Sequence, residues 1–205
     1  MRAAQTSGVR AQTRRGRPGY DSSEVLEIAV RLFIEKGYDA TSVADLAERL
    51  GLTKSAVYHH FESKEQLLGL ALDEALTGLE SALENALANA RSAPESFADV
   101  IRGAVTVLIE RQPYVTLLLR VRGNSPVEHA ALERRRLFDT RVTEVVRTAQ
   151  SQGLVRDDID AAVATRLIFG MINSLTEWYR PGGTIDADAM AETVLATAMS
   201  GLQVR

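Results

Sequence analysis

Thr41-Ser42-Val43-Ala44-Asp45-Leu46-Ala47-Glu48-Arg49-Leu50-Gly51-Leu52-Thr53-Lys54-Ser55-Ala56-Val57-Tyr58-His59-His60-Phe61-Glu62-Ser63-Lys64 is the stretch on which the reading of this chain turns. Val43, Leu46, Ala47 and Leu50 recur at the spacing of one helix face. Gly51 follows where a helix ends in a left-handed residue, a conformation that only glycine adopts cheaply. Thr53 carries the side-chain oxygen to cap a new helix. In that helix Ala56, Val57 and Phe61 can face inward, which leaves Lys54, Ser55, Tyr58 and His59 pointing outward. A short helix with that outer face, propped on another helix, is what a DNA major groove accepts.

Together with the helix before it, this stretch resembles the DNA-binding domain of the TetR family of bacterial transcriptional regulators. The residues that carry the resemblance are Phe33 and Gly37-Tyr38 at the end of the first helix, Thr41-Ser42-Val43, Leu46-Ala47, Gly51-Leu52-Thr53-Lys54, and the run Tyr58-His59-His60-Phe61-Glu62-Ser63-Lys64-Glu65. The match covers about residues 20–70. It implies DNA contacts from Thr41, Ser42, Thr53, Lys54, Ser55, Tyr58, His59, His60 and Lys64. Among these, Lys54 is expected to read a base edge, because lysine donates to guanine O6 and N7. Thr41, Ser42, Tyr58, His60 and Lys64 are expected on phosphates, Lys64 from a first helical turn whose free amides favour an anion.

The 205 residues, 45% hydrophobic and 25% charged, have the composition of an ordinary globular protein. With no cysteine there is no disulfide frame, thiol nucleophile or thiolate metal site. His59 and His60 are adjacent and diverge on a helix, and His129 is remote, so no metal site is expected. No Gly-rich phosphate loop is present, so neither a cofactor nor an enzyme is expected. No apolar run is long enough to span a membrane and no signal peptide is recognised, so a cytoplasmic protein is expected. The net charge of −3 hides a division: residues 1–20 hold Arg2, Arg10, Arg14, Arg15 and Arg17 and no acid. DNA responds to that local field rather than to the overall balance.

Residues 1–19 read as a disordered basic arm, 20–66 as the helix-turn-helix domain, and 67–205 as a ligand-binding and dimerisation domain. In the arm, Arg14-Arg15-Gly16-Arg17-Pro18-Gly19 resembles the Arg-Gly-Arg-Pro core of small minor-groove motifs, and extended arginines suit a narrow electronegative groove. The other reading is a solvated tail that only adds charge. No segment alternates with period two, so an all-α chain of about nine helices is expected. Ser22 or Ser23 caps the first helix, which runs to about Lys36. Ser63-Lys64-Glu65-Gln66 forms a capping box for a long fourth helix to about Ala90. A fifth spans about 94–111 and is ended by Pro113, with a short sixth carrying Tyr114 to Leu119. The seventh, eighth and ninth cover about 127–152, 159–180 and 187–203.

The resemblance further implies a four-helix homodimer interface from the last two helices, here offering Ala162, Gly170, Ser174, Val194, Leu195, Ala198, Met199 and Leu202. The other reading of the same stripe is intrachain core. It also implies a pocket for a small hydrophobic ligand among the fourth to eighth helices. Phe97, Ile101, Val105, Leu108, Tyr114, Leu118, Phe138, Val142, Phe169, Ile172 and Trp178 are its candidate walls, each of which taken alone reads as core. Gly170-Met171-Ile172-Asn173 and Trp178-Tyr179-Arg180-Pro181-Gly182-Gly183 look like the corresponding stretch of TetR-type regulators that answer to acyl-CoA thioesters. Arg120, Arg122 and Arg134–Arg136 could supply cations for the coenzyme A phosphates. The reading is therefore a ligand-released, homodimeric repressor of double-stranded operator DNA. Its alternatives are a sensor of drugs or other lipophilic molecules controlling an efflux gene, and an architectural DNA-binding protein.

Deleting residues 1–17 should weaken operator and non-specific DNA binding alike. The slope of log K against log salt should flatten by about 0.9 for each phosphate that the arm neutralises. Salt titrations of both proteins check this, and an unchanged slope would reject the arm as a phosphate partner.

Overall fold

The computed structural model describes residues 20–90 and 92–202. Arg14, Arg15 and Arg17 of the basic arm lie outside them. Nine helices occur among the described residues: α1 Ser22–Lys36, α2 Val43–Leu50, α3 Lys54–His60, α4 Lys64–Asn89, α5 Ala93–Glu110, α6 Gln112–Arg120, α7 Pro126–Ser151, α8 Ala161–Trp178 and α9 Ala187–Leu202. The all-α expectation holds.

Local chemistry sets the ends. α1 is capped by Asp21, not by Ser22 or Ser23: its carboxylate accepts from the Glu24 amide at 2.8 Å, and Glu24 accepts back from the Asp21 amide at 2.9 Å. The Ser23 hydroxyl is spent on that carboxylate at 2.6 Å. Ser42 and Asp45 make the same reciprocal box on α2. Gly51 ends α2 at φ 64°, the left-handed conformation its position predicted. Ser63 accepts from the Gln66 amide at 3.0 Å, but Gln66 reaches back one residue further, to the Glu62 amide at 2.7 Å. Pro113 does not end α5. It stands in the first turn of α6, where its missing amide costs nothing.

α4 is the spine of the larger part, packing against α5, α6 and α7. Its crossing with α5 depends on two glycines. A Cβ at Gly78 would meet the Val107 side chain at 3.0 Å, and one at Gly103 would meet Ala82 at 3.1 Å. α5 is in turn covered by α7, α8 and α9. Val194, Leu195, Ala198 and Leu202 are therefore buried inside the chain, where α9 packs mainly on α5. The stripe that the resemblance assigned to an interface takes the other reading, intrachain core, at these four positions.

The three N-terminal helices are joined to this body through α1, which packs on α6 and α4. The Arg120 guanidinium, expected to meet a ligand phosphate, donates to the Ile34 carbonyl of α1 at 2.5 Å. Beside it, buried Glu128 organises the α6–α7 turn: one carboxylate oxygen accepts from the amides of Arg122 at 3.1 Å, Gly123 at 2.7 Å and Asn124 at 2.9 Å. Burial pushes the Glu128 carboxyl up, yet the Asn124, Gly123 and Arg122 amides outweigh it and hold the carboxyl below its ordinary range.

A depressed carboxyl stabilises the fold above its unfolded pKa and loses that contribution as pH falls through its folded value. Glu128→Gln should therefore cost about 1–3 kcal/mol at neutral pH. The gap from the unsubstituted protein should narrow below about pH 4. Denaturant melts across pH check this; a gap constant with pH would show that charge is not what matters there.

Candidate functional site

The α2–α3 unit presents one face free of internal obligations. Lys54, Ser55, Tyr58 and His59 are exposed, Tyr58 by 53%, and their side chains make no hydrogen bond or ion pair among the described residues. From Gly51 to Phe61 there is no acidic side chain. The Thr53 hydroxyl accepts from the Ala56 amide at 3.2 Å, so it caps α3 at the edge of that face. Ser42 is exposed, with its hydroxyl turned to Asp45. His60 is half-buried, with Nδ1 3.4 Å from the Ser22 hydroxyl.

Two predicted contacts instead hold the unit together. Thr41 is only 1% exposed, and its hydroxyl donates to the Gly37 carbonyl at 2.7 Å, so it cannot present itself to a phosphate. The Lys64 ammonium donates to the carbonyls of Tyr38 and Thr41, each at 2.9 Å, and lies 4.2 Å from the centre of the Tyr38 ring. Tyr38 in turn meets Phe33 edge to face at 5.2 Å between ring centres. The sequence fits both roles, because polar residues at a helix start serve a cap, a phosphate or a loop equally well.

Ion pairs run along α4. Arg111 reaches Glu74 at 2.6 Å, Arg134 reaches Asp73 at 2.6 Å and Glu80 at 2.7 Å, and Arg141 reaches Glu84 at 3.4 Å. Hydrogen bonds that it donates to Glu80, and secondarily to Asp73, raise the Arg134 guanidinium above its ordinary value despite partial burial. Arg134 thus clamps α7 to α4 and does not join the neighbouring arginines at the cavity.

That cavity, of about 500 Å³, lies within the larger part. Leu76 and Leu79 of α4, Ala104 and Leu108 of α5, and Val115, Leu118 and Leu119 of α6 make an apolar floor. Phe138, Thr143, Thr165, Phe169, Ile172 and Asn173 complete the walls, and Arg135, Arg136, Asp139, Glu144, Arg147 and Arg166 bring the charge. Five predicted wall residues are there: Leu108, Leu118, Phe138, Phe169 and Ile172. Phe97, Ile101, Val105 and Val142 are core outside the lining, Tyr114 packs half-buried against the core, and Trp178 is 55% exposed. Sequence reasoning missed Thr143 and Thr165, whose hydroxyls meet at 3.3 Å, since a lone threonine in a helix carries no such signal.

Val163, Leu167, Gly170, Ser174 and Trp178 form an exposed stripe on α8, with Leu167 at 65%. Gly170 belongs to both features, because it also lines the cavity, as does the half-buried Ala162. A Cβ at Gly170 would meet nothing within 4 Å of the chain itself. Met199 is half-buried on α9.

A helix-turn-helix with an acid-free outer face, carried on a helical body with its own cavity, defines a class: a helical DNA-binding regulator. Residues 25–71 match the family model described as bacterial regulatory proteins, tetR family, and residues 90–202 match the tetracyclin repressor-like C-terminal domain. The chain belongs to the TetR family, and it is a transcriptional repressor of that type rather than an enzyme. It is 30% identical over 190 residues to the HTH-type transcriptional repressor KstR2 of Rhodococcus jostii, covering 88% of this chain and 90% of that one. It is 42% identical to SCO3833, a TetR-family member of Streptomyces coelicolor, with a TM-score of 0.82 over 95% of this chain and 94% of that one. The same fold occurs in AibR solved with isovaleryl coenzyme A and operator DNA, at 23% identity, a TM-score of 0.71, and coverage of 86% of this chain and 96% of that one. No helix among the described residues is long and apolar enough to cross a membrane.

Lys54 and Lys64 should separate cleanly on substitution. Lys54→Ala should leave the melting temperature unchanged and relax base preference at one operator position by about 1–3 kcal/mol. Lys64→Met should destabilise the fold by about 1–3 kcal/mol, because two carbonyl partners lose a charged donor. Thermal melts and operator selection with both variants check this; a stable Lys64→Met protein with only weakened DNA binding would return Lys64 to the phosphates.

Proposed function

We propose that this chain is a homodimeric repressor that reads a two-fold operator through residues 20–66 and is released by a ligand held within residues 67–205. The observation that carries the reading is the unpartnered face of Lys54, Ser55, Tyr58 and His59 on a unit whose frame is fixed by Thr41 and Lys64. Thr53 and His60 flank those residues in sequence, Ser42 is exposed at the start of α2, and all three fit phosphate contact. Arg14, Arg15 and Arg17 would extend it along the DNA backbone. One recognition helix reads too few bases for useful affinity, so a two-fold pair about 34 Å apart is favoured. The exposed α8 stripe of Val163, Leu167, Gly170, Ser174 and Trp178 supports pairing through that helix.

The cavity suits an amphiphile with an apolar body and an anionic head. Its floor is apolar and its charged residues include four arginines, Arg135, Arg136, Arg147 and Arg166, against the acids Asp139 and Glu144. An acyl-CoA thioester fits this description, with its phosphates toward those arginines. Leu76 and Leu79 touch the cavity from the same helix whose first residue, Lys64, grips the DNA-reading unit. A ligand that shifts α4 would move that unit, and by linkage ligand and operator weaken each other's binding equally.

Titrating the operator complex with decanoyl-CoA or phenylacetyl-CoA should dissociate it, and the matching free acids at equal concentration should not. Fluorescence anisotropy of a labelled operator gives the readout. Release by neither thioester, or by lipophilic cations instead, would overturn the acyl-CoA assignment and favour a drug sensor.

A further inference from the structure

The charges of the cavity are unevenly matched. All of them come from α7 and α8, and the walls supplied by α4, α5 and α6 are apolar. Arg136 pairs with Glu133, and Arg147 pairs with Glu144. Arg135 and Arg166 make no hydrogen bond or ion pair among the described residues. The charge set against both is the carboxylate of Asp139. Arg135 precedes it by one turn of α7, Arg166 comes from α8, and all three line the cavity.

We propose that Asp139 is the charge selector of this cavity, an acid that offsets Arg135 and Arg166 without pairing with either and so opposes the anionic ligand group that those arginines attract. The inference rests on the reading of the cavity as the inducer site, and does not require the inducer to be a coenzyme A thioester. Two guanidiniums and one carboxylate leave one positive charge beside an apolar floor. An anion entering there gains from both arginines and is opposed by Asp139, and a cation meets the reverse. Neither arginine has a hydrogen-bond partner among the described residues, so neither must break one to turn to a ligand. Asp139 is exposed at the mouth of the cavity, where the walls take solvent from one side of its carboxyl and raise it slightly in spite of Arg135 and Arg166. Its carboxylate makes no hydrogen bond or ion pair among the described residues, at a wall where an asparagine would fit the same space. Such an acid lowers affinity for every anion, and most for those too weakly charged to outcompete it.

Three probes that share one ten-carbon chain test this: decyl sulfate, decanol and decyltrimethylammonium, each below its micelle concentration. Binding to the full-length protein is followed by calorimetry. Asp139→Asn should tighten decyl sulfate by roughly twofold to fivefold, weaken decyltrimethylammonium by a similar factor and leave decanol unchanged. Arg135→Gln and Arg166→Gln should shift the two charged probes the opposite way, and Asp139→Asn should have less effect on decyl sulfate in the Arg135→Gln background. Equal shifts for all three probes, or none, would overturn the selector role. Failure of decanol to bind the unsubstituted protein would instead overturn the cavity reading beneath it.

Discussion

The Lys64 ammonium, shared between the Tyr38 and Thr41 carbonyls, is the contact on which the rest of this structure depends. It sits at the first residue of α4, whose 26 residues continue without a break to the cavity and beyond. The turn between α1 and α2 is thereby fixed to the helix that supports the larger part. Without a proline, a helix of this length curves only gently, so its two ends stay mechanically linked. The same helix reaches the cavity some three turns further on, at Leu76 and Leu79.

A second junction complements the first. α6 lies on α1, and Arg120 donates to the Ile34 carbonyl near the end of α1, where the last carbonyls of a helix lack internal partners. Glu128 holds the following turn with three amide hydrogen bonds. Since α6 also supplies Val115, Leu118 and Leu119 to the cavity, both attachments of the DNA-reading unit lead to the same chamber. Arginines from α7 and from the end of α5 then hold the acidic edge of α4. Charge in this part of the molecule mostly positions helices. Arg135 and Arg166 are not used in this way: they line the cavity with Asp139 and make no hydrogen bond or ion pair among the described residues.

The helix-turn-helix was legible because it is local. Its apolar spacing, the left-handed Gly51 and the caps Ser42 and Thr53 all act within a few residues of one another. The outward direction of Lys54, Ser55, Tyr58 and His59 follows from that spacing alone. Helix ends were legible to within a few residues for the same reason. Where they were misjudged the cause was also local: Asp21 forms the reciprocal box with Glu24, and Pro113 suits the first turn of α6.

What the sequence determined by itself is the all-α class, the order of its helices and the unit that faces DNA, because periodicity and capping are written in neighbouring residues. What only the tertiary structure decided is the use of each side chain that acts at a distance. Thr41 is buried, Lys64 and Arg120 grip carbonyls, and Arg134 clamps α4, although each carries the chemistry to meet a phosphate. The apolar stripe of α9 is likewise spent on α5, and the exposed one is on α8. A long cation or an apolar stripe is satisfied by whichever partner the fold brings within reach, and that partner lies tens of residues away in the chain.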